Sequence, residues 1–326
     1  MNLVTGASGF IGGRIVHALC KQGEEVRILV RPGANLSGLS GLDYQRVSGD
    51  ILDRKSLEKA ANGCRRIYHA AAFYKLWLRS SKLIYQINVE GSRNVIRAGL
   101  AAGVERIVYT SSVATIGLPA GGNGTEKTPV DLKDMIGDYK RSKFLAETVV
   151  QDCIRQGAPV VIVNPTYPVG EGDIKPTPSG QVIVDFLQKR LPAYLDTGMN
   201  VIDVDDVAAG HLLAVEKGQV GRRYILGNKN LTLKEILHIL ADITGLRAPS
   251  IKLPYYPVLS LAYLDAALAK LIPGREPRIP PDGVRMARKK MFVDPSRAVK
   301  ELKLPQTPPR IALEKAVNWF RSEGYV

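Results

Sequence analysis

Short apolar runs alternate with amphipathic stretches through the first half of the chain. The amphipathic stretches repeat apolar residues three or four positions apart, as at Ile11, Ile15 and Leu19, which predicts helices. The short runs between them predict strands at residues 2–4, 25–30, 43–48, 66–69, 106–110 and 160–163. This alternation is typical of a parallel sheet with helices on both faces, so we predict a doubly wound α/β fold.

The alternation fades after residue 165, where Pro and Gly become frequent. We therefore predict a first domain over residues 1–165 and a smaller lobe over residues 166–326. Residues 199–217 are expected to return to the first domain, with a helix over Val207–Glu216. Asp205 or Asp206 is expected to cap the start of that helix, because Asp is favoured there.

A glycine-rich turn joins the first strand to the first helix. In this turn Gly6 lets the backbone reverse direction, Gly9 allows close approach to a phosphate, and Gly12 lets the helix pack on the strand. The free N–H groups of the helix N-terminus attract an anion. A tight turn without a ligand has the same glycines, but the strand before and the helix after favour a Rossmann-type dinucleotide site.

Two residues at the ends of later strands bear on the nucleotide. Arg31 follows the second strand, where a guanidinium suits a 2′-phosphate, so we favour NADP(H) over NAD(H). An exposed arginine on a Pro-Gly loop is the alternative. Asp50 follows the third strand and can either accept the adenine amino group or cap the helix that starts near Ser56.

The fourth strand runs into Ala70, Ala71 and Ala72, small residues that permit a ligand to approach the backbone. Three aromatic residues follow within five positions, Phe73, Tyr74 and Trp77, in a chain with only 6% aromatics. They indicate an apolar or ring-bearing substrate or, alternatively, a packed loop at the sheet edge.

A catalytic set is indicated by Ser112, Tyr139 and Lys143. Tyr139 and Lys143 are four positions apart and lie on one face of a predicted helix. A phenol ionises near about pH 10, so the Lys143 ammonium is expected to lower the pKa of Tyr139. Ser112, at the end of the fifth strand, is expected to hold and polarise the substrate oxygen.

The composition is that of a globular protein, with 326 residues, 45% hydrophobic and 23% charged. Cys20, Cys64 and Cys153 lack metal-ligand spacing, so we expect free buried thiols, no metal site and a reducing compartment. The first strand starts beside Met1, leaving no signal peptide, and we expect a cytoplasmic protein. The net charge of +14 raises nucleic acid as a partner, but the intact Ser, Tyr and Lys argue against it.

Half of the excess positive charge lies in residues 270–326, with 13 Lys or Arg against six Asp or Glu. Just before it, Leu253–Ile272 is the most apolar long stretch, and Asp265 and Lys270 interrupt it too early for a membrane span. An apolar helix beside cations suits peripheral contact with an anionic membrane at its inner face through residues 253–290. A lid helix with a solvated basic face is the alternative.

Several motifs together resemble an extended short-chain dehydrogenase/reductase. They are TGASGFIG at 5–12, Gly49-Asp50, TSSVA at 110–114, YKRSK at 139–143 and IDVDDVA at 202–208. Within that group the chain resembles the dihydroflavonol-reductase-like branch and most closely the hopanoid-associated sugar epimerases. The closer likeness is carried by residues 71–77, 134–143, 172–178 and 283–288.

The resemblance implies a nicotinamide dinucleotide in domain 1–165, a substrate in the lobe, a homodimer, and Ser112, Tyr139 and Lys143 as catalytic residues. The expected cofactor contacts are Gly6, Ser8, Gly9, Phe10, Ile11, Gly12, Arg31, Asp50, Ile51, Ala70, Ala71, Ala72, Tyr139, Lys143, Asn164, Pro165 and Thr166. The expected substrate contacts are Phe73, Tyr74, Trp77, Val113 and Tyr167.

Two activities fit these residues. The first is an NADP(H)-dependent reductase that acts on a carbonyl, or on the corresponding alcohol, of a fairly apolar or lipid- or sugar-linked substrate. The second is a sugar epimerase that oxidises a hydroxyl transiently and returns the hydride to the other face. Nucleotide-sugar epimerases usually have an acidic residue after the second strand, and Arg31 departs from that pattern.

Overall fold

The computed structural model describes all 326 residues, Met1–Val326. Its strands are β1 (Asn2–Thr5), β2 (Val26–Val30), β3 (Gln45–Ser48), β4 (Arg66–His69), β5 (Arg106–Thr110), β6 (Val160–Pro165), β7 (Tyr167–Val169), β8 (Ala193–Tyr194), β9 (Gly198–Asp203), β10 (Arg223–Leu226), β11 (Lys229–Thr232) and β12 (Ile251–Lys252). Its α-helices are α1 (Phe10–Lys21), α2 (Arg54–Ala61), α3 (Lys82–Tyr85), α4 (Ser92–Ala101), α5 (Gly137–Arg155), α6 (Pro178–Leu187), α7 (Val204–Lys217), α8 (Leu233–Thr244), α9 (Tyr255–Leu271), α10 (Pro281–Ala287) and α11 (Pro309–Ser322).

Seven parallel strands form the main sheet in the order β10-β6-β5-β4-β1-β2-β3. Successive side chains point to opposite faces, so Leu3 joins the apolar cluster under α2, α4 and α5, whereas Val4 joins the cluster under α1 and α7. The strand order reverses between β1 and β4, which is where such sheets bind a ligand. The predicted doubly wound Rossmann-type fold is confirmed.

The smaller lobe contains a three-stranded sheet, β11-β9-β7, and the pair β12-β8. Helices α6, α8 and α11 pack around a separate cluster that includes Val169, Phe186, Leu240 and Phe320. Strand β10, which the sequence analysis left in the lobe, instead pairs with β6 in the main sheet. Residues 298–304 also return, because Ala298, Leu302 and Leu304 pack in the α1 and α7 cluster.

The segment 199–217 returns only in part. Strand β9 belongs to the lobe sheet, whereas α7 packs on α1 and under β5 and β6. The predicted caps Asp205 and Asp206 are wrong, since Asp203 accepts from the N–H of Asp205 at 2.8 Å. Asp205 instead pairs with Arg14 at 2.6 Å.

The structure also bears on the expected burial of the cysteines and on whether any helix could cross a membrane. Cys64 and Cys153 are buried free thiols, but Cys20 is only partly buried. None of the helices combines the length and apolar character needed to cross a bilayer.

Candidate active site

The glycine turn after β1 leaves space that a side chain would fill. Gly6 has φ +78°, and a Cβ on it would lie 2.6 Å from the backbone N of Ala71. A Cβ on Gly12 would lie 2.1 Å from the carbonyl oxygen of Gly6. The turn therefore brings β1, the start of α1 and the end of β4 into backbone contact. The sequence analysis expected the close packing of the helix on the strand at Gly12, but not the contact with β4.

The start of α1 suits an anion. Gly9 provides no side-chain cap, and the first turn of α1 contains no acidic residue. Ser8 and Gly9 are exposed, while Phe10 is buried and Ile11 half-buried, so the latter two can reach a phosphate only through their N–H groups. These features fit the pyrophosphate of a dinucleotide.

Arg31 and Asp50 stand at the ends of the neighbouring strands β2 and β3. Arg31 is exposed, and its guanidinium makes no ion pair or hydrogen bond within the chain. Asp50 does not cap α2, because Asp53 caps it and Asp50 Oδ1 accepts from the N–H of Leu52 at 2.9 Å. Ile51 is a core residue, packed on the Gly91 backbone, so only its main chain can face a nucleotide.

The aromatic loop, residues 73–77, leaves the end of β4 after Ala70, Ala71 and Ala72. The buried amide of Asn88 clamps it by accepting from Phe73 N–H at 2.7 Å and donating to Phe73 O at 3.0 Å. The Tyr74 ring lies against the Tyr139 ring, with centroids 4.2 Å apart. The loop thus forms a wall beside Tyr139, with Phe73 and Trp77 half-buried in it.

Asn88 also donates to Ser142 Oγ of α5 at 2.8 Å. It lies in a π-helical turn, Gln86–Gly91, between α3 and α4. The sequence analysis assigned Asn88 no role. A π-helical turn is often found at functional sites. It could not be predicted here, because such a turn has no clear signature in the spacing of apolar residues along the sequence.

Ser112 follows β5 and caps the short turn Val113–Thr115, accepting from the N–H of Ala114 at 3.1 Å. Its hydroxyl lies within side-chain hydrogen-bonding reach of Tyr139, near the start of α5. Burial raises the pKa of Tyr139, and the Ser112 hydroxyl acts in the opposite direction. The structure therefore brings the predicted serine and tyrosine together, and both are only partly buried.

The ammonium of Lys143 does not lie where the sequence analysis expected it, beside the Tyr139 phenol. The buried ammonium donates to Thr110 O at 2.8 Å and to Tyr109 Oη at 3.3 Å, and it makes no hydrogen bond to Tyr139. Burial lowers the pKa of Lys143 to about 8. The expected lowering of the Tyr139 pKa is not found, because desolvation of the phenol dominates.

The end of β6 supports the same site. Asn164 is fully buried, and its amide donates to Ser112 O at 3.0 Å and to Thr115 Oγ1 at 2.9 Å. The amide nitrogen is thus occupied in holding the serine turn, whereas the buried Asn164 Oδ1 has no hydrogen-bond partner within the chain. Pro165 is buried, and the Thr166 hydroxyl donates to Asn200 Oδ1 at 3.2 Å. Tyr167 and Val113 are half-buried.

Sequence reasoning missed Glu147, one helical turn beyond Lys143 on α5. Glu147 is buried and pairs with Arg223 of β10, with Oε1 and Nε 2.9 Å apart. Its other oxygen accepts from Ser111, Thr115 and Asn164. The carboxylate thus joins α5, the serine turn, β6 and β10, and the helical pattern gave no signal for it.

Comparison with known proteins agrees with this geometry. Residues 2–227 match the NAD dependent epimerase/dehydratase family. A Synechocystis protein named "Putative dihydroflavonol 4-reductase" is 45% identical over 99% of this chain and 95% of its own. Sterol demethylase protein B of Methylococcus capsulatus is 35% identical over 99% of each chain.

Among solved structures, the crystal structure of gox2253 superposes with a TM-score of 0.89 and 41% identity, covering 100% of this chain and 99% of the other. The family match extends over more than half of the chain, and the matched residues, 2–227, include all seven strands of the main sheet. The chain belongs to the NAD-dependent epimerase/dehydratase family of extended short-chain dehydrogenases/reductases.

Proposed function

We propose that this protein is an NADP(H)-dependent oxidoreductase that reduces a carbonyl, or oxidises the alcohol, of a fairly apolar or lipid- or sugar-linked substrate. The observation that carries the proposal is the contact of Tyr139 with Ser112 beside the aromatic loop. It places a proton donor, a hydroxyl that can hold an oxygen, and an apolar wall in one place.

The residues divide the chemistry between them. The bound nicotinamide supplies or accepts the hydride. Because burial raises its pKa, Tyr139 keeps its proton at neutral pH and can give it to a carbonyl oxygen as that oxygen becomes an alcohol. Ser112 donates a hydrogen bond to the same oxygen. The Lys143 ammonium lies on Thr110 O and Tyr109 Oη. It is on the same face of α5 as Tyr139, and in this proposal its positive charge favours the phenolate left on Tyr139 without a direct hydrogen bond.

The preference for NADP(H) is supported by Arg31. A guanidinium with no partner inside the protein is available to a 2′-phosphate, and a planar fork matches phosphate oxygens. The loop glycines and the uncapped start of α1 suit either dinucleotide, so the preference depends on Arg31 alone.

The cofactor preference can be tested by changing Arg31→Asp and measuring the affinities for NADP⁺ and NAD⁺ by calorimetry. We expect the wild type to prefer NADP⁺ and the variant to lose that preference. Arg46→Asp, the same charge change on exposed β3, is the matched control and is expected to leave the preference intact. Equal affinities in the wild type would contradict the proposal.

An apolar substrate is supported by Phe73, Tyr74 and Trp77, which lie in one loop beside the phenol. The relative named for sterol demethylation supports a lipid in this role. The test is NADPH oxidation at 340 nm with a panel of aldehydes and ketones on alkyl, isoprenoid and sterol frames. Consumption of NADPH in proportion to alcohol formed identifies a reductase.

A sugar epimerase is the second candidate, favoured by the family match, which includes epimerases. The same three residues would take up and return the hydroxyl proton within one catalytic cycle, in which the hydride moves to the nicotinamide and back. The two functions differ in cofactor balance: an epimerase converts a nucleotide sugar with no net change in absorbance at 340 nm. Epimerisation under those conditions, with no carbonyl reduction, would establish the second candidate.

A further inference from the structure

Helix α9 carries its large apolar side chains on the outside. Its buried residues are only Ala262, Ala266 and Ala269, which share one face. Six large apolar residues of α9 and Ile272 just after it are 46% to 78% exposed: Tyr256, Leu261, Tyr263, Leu264, Leu268, Leu271 and Ile272. Tyr255, Val258 and Leu259, in the first turns of the helix, are half-buried. A helix on a water-facing surface has the reverse arrangement. The outer half of α9 is therefore an apolar contact surface.

The charged residues of α9 avoid the middle of that half. Asp265 is half-buried and pairs with Arg275, with 2.7 Å between their charged atoms. Lys270 lies between Leu268 and Leu271 in the sequence and, at 100° per residue, beside the buried alanine face, at the edge of the apolar half. Two exposed tyrosines, Tyr256 and Tyr263, combine an apolar ring with a polar hydroxyl, as is common at membrane–water interfaces.

The surface around α9 is basic. Residues 253–290 contain seven Lys or Arg and three acids. All three acids are held in ion pairs, Asp265 with Arg275, Glu276 with Lys75 and Asp282 with Arg285. The exposed cations of this segment without an acidic partner are Lys270, Arg278, Arg288 and Lys289.

We propose that α9 and these cations dock on the surface of an anionic lipid bilayer, with the outer half of α9 lying in the plane of the interface. An apolar helix face with cations beside it matches such a surface in both hydrophobicity and charge. A second copy of the chain is a poorer occupant, because each copy has a net charge of +14 and would bring a basic rim against a basic rim. α9, with 17 residues, does not span the bilayer.

The aromatic loop and Arg79, two positions after it, are tied to α9 and its C-terminal end. Arg79 donates to the last carbonyls of the helix, to Ala269 O at 2.9 Å and Ile272 O at 2.6 Å. Lys75 pairs with Glu276 just beyond the helix. Docking of α9 would therefore bring Tyr74, and through it Tyr139, to the side of the molecule nearest the lipid. This inference goes beyond the proposed reaction and does not depend on it.

The test is sedimentation of the full chain with phosphatidylcholine vesicles, with and without phosphatidylglycerol, at moderate and high salt. We expect binding to the anionic vesicles that weakens with salt. Leu264→Glu with Leu268→Glu should lower the partition coefficient on the order of 100-fold, since both side chains leave the apolar contact. Leu100→Glu with Leu132→Glu, similarly exposed leucines on other elements, is the matched control and should bind as the wild type.

A second variant, Arg278→Gln with Lys289→Gln, leaves the apolar face intact and should reduce binding and its salt dependence. Thermal unfolding shows whether the leucine variant is folded. If it is not, the variant with Arg278 and Lys289 replaced still tests the proposal. The proposal is overturned if the wild type stays in the supernatant with anionic vesicles, or if neither variant weakens binding. Dimerisation in solution that the leucine variant abolishes, without vesicle binding, would assign α9 to a second copy instead.

Discussion

The carboxylate of Glu147 and the guanidinium of Arg223 form an ion pair, 2.9 Å between Oε1 and Nε, with Glu147 almost fully buried. The pair joins the helix of Tyr139 and Lys143 to the edge strand β10. Arg223 also donates to Thr115 O at 2.6 Å, so both partners hold the turn that contains Ser112. The relative position of Ser112 and Tyr139 thus depends on residues that touch neither substrate nor cofactor.

Glu147→Gln should therefore destabilise the protein and slow catalysis. Removing one member of a buried pair leaves the other charge uncompensated, which costs about 3–5 kcal/mol. Loss of alignment between Ser112 and Tyr139 should lower kcat about tenfold with little change in KM. Denaturant unfolding and steady-state kinetics measure the two effects.

The matched control is Glu105→Gln, which removes an exposed ion pair with Arg65. Solvent screens such pairs, so its unfolding midpoint and kcat should equal those of the wild type. If Glu147→Gln behaves like this control, Glu147 is not a positioning residue.

Gly12→Ala should disrupt dinucleotide binding. Its Cβ would lie 2.1 Å from the carbonyl oxygen of Gly6, so the glycine turn must shift. The dissociation constant of the dinucleotide should rise by at least about tenfold, as calorimetry measures. Gly13→Ala, on the same helix, has ordinary contact at 3.4 Å and should bind the cofactor normally while gaining about 0.5–1 kcal/mol of stability. Equal binding by both variants would exclude the turn as the cofactor site.

Carbonyl reduction should fall as pH rises past about 8. Burial lowers the pKa of Lys143 to about 8, and the neutral amine no longer favours the phenolate of Tyr139. A lysine whose pKa is lower in the folded than in the unfolded state makes folding more favourable as pH rises above the folded value. Lys143 therefore gives no unfolding in this pH range, and the loss is one of activity.

The pH dependence of kcat/KM measures this decrease in activity, which is the alkaline limb of the profile. Lys143→Arg keeps its charge and should move the limb upward. Lys140, whose pKa burial also lowers to about 8, contacts Met291 instead, so Lys140→Met should leave the limb in place. A limb that moves with Lys140 and not with Lys143 would contradict the assignment.

Local patterns sufficed for much of the fold. The bounds predicted for β4 and β5 agree with the structure, since both strands are apolar runs between polar turns. The glycine turn was predictable because glycine has no Cβ, so the sequence alone shows where the backbone can approach closely. The contact of Ser112 with Tyr139 followed from strand-end and helix-start positions.

What the sequence could not show depends on distant partners. Asp203, Asp205 and Asp206 are locally equivalent as caps, and the choice among them follows from Arg14, Lys315 and Thr307, which lie far away in the chain. The direction of the Lys143 ammonium follows from its hydrogen bond to Thr110 O, 33 positions earlier in the chain. The sequence showed that α9 is rich in leucine. It did not show which face of the helix packs on the protein and which face is exposed.

The central claim is that Tyr139 gives the proton as hydride passes from NADPH to a substrate carbonyl. Reduction of the best carbonyl of the panel by NADPH that carries deuterium at both C4 positions tests it most directly, with Tyr139→Phe and the neighbouring Tyr74→Phe compared. We predict deuterium in the carbinol product, a loss of about 100- to 10,000-fold in kcat for Tyr139→Phe with dinucleotide binding retained, and near wild-type rates for Tyr74→Phe. Undiminished deuterium transfer by Tyr139→Phe would contradict the account.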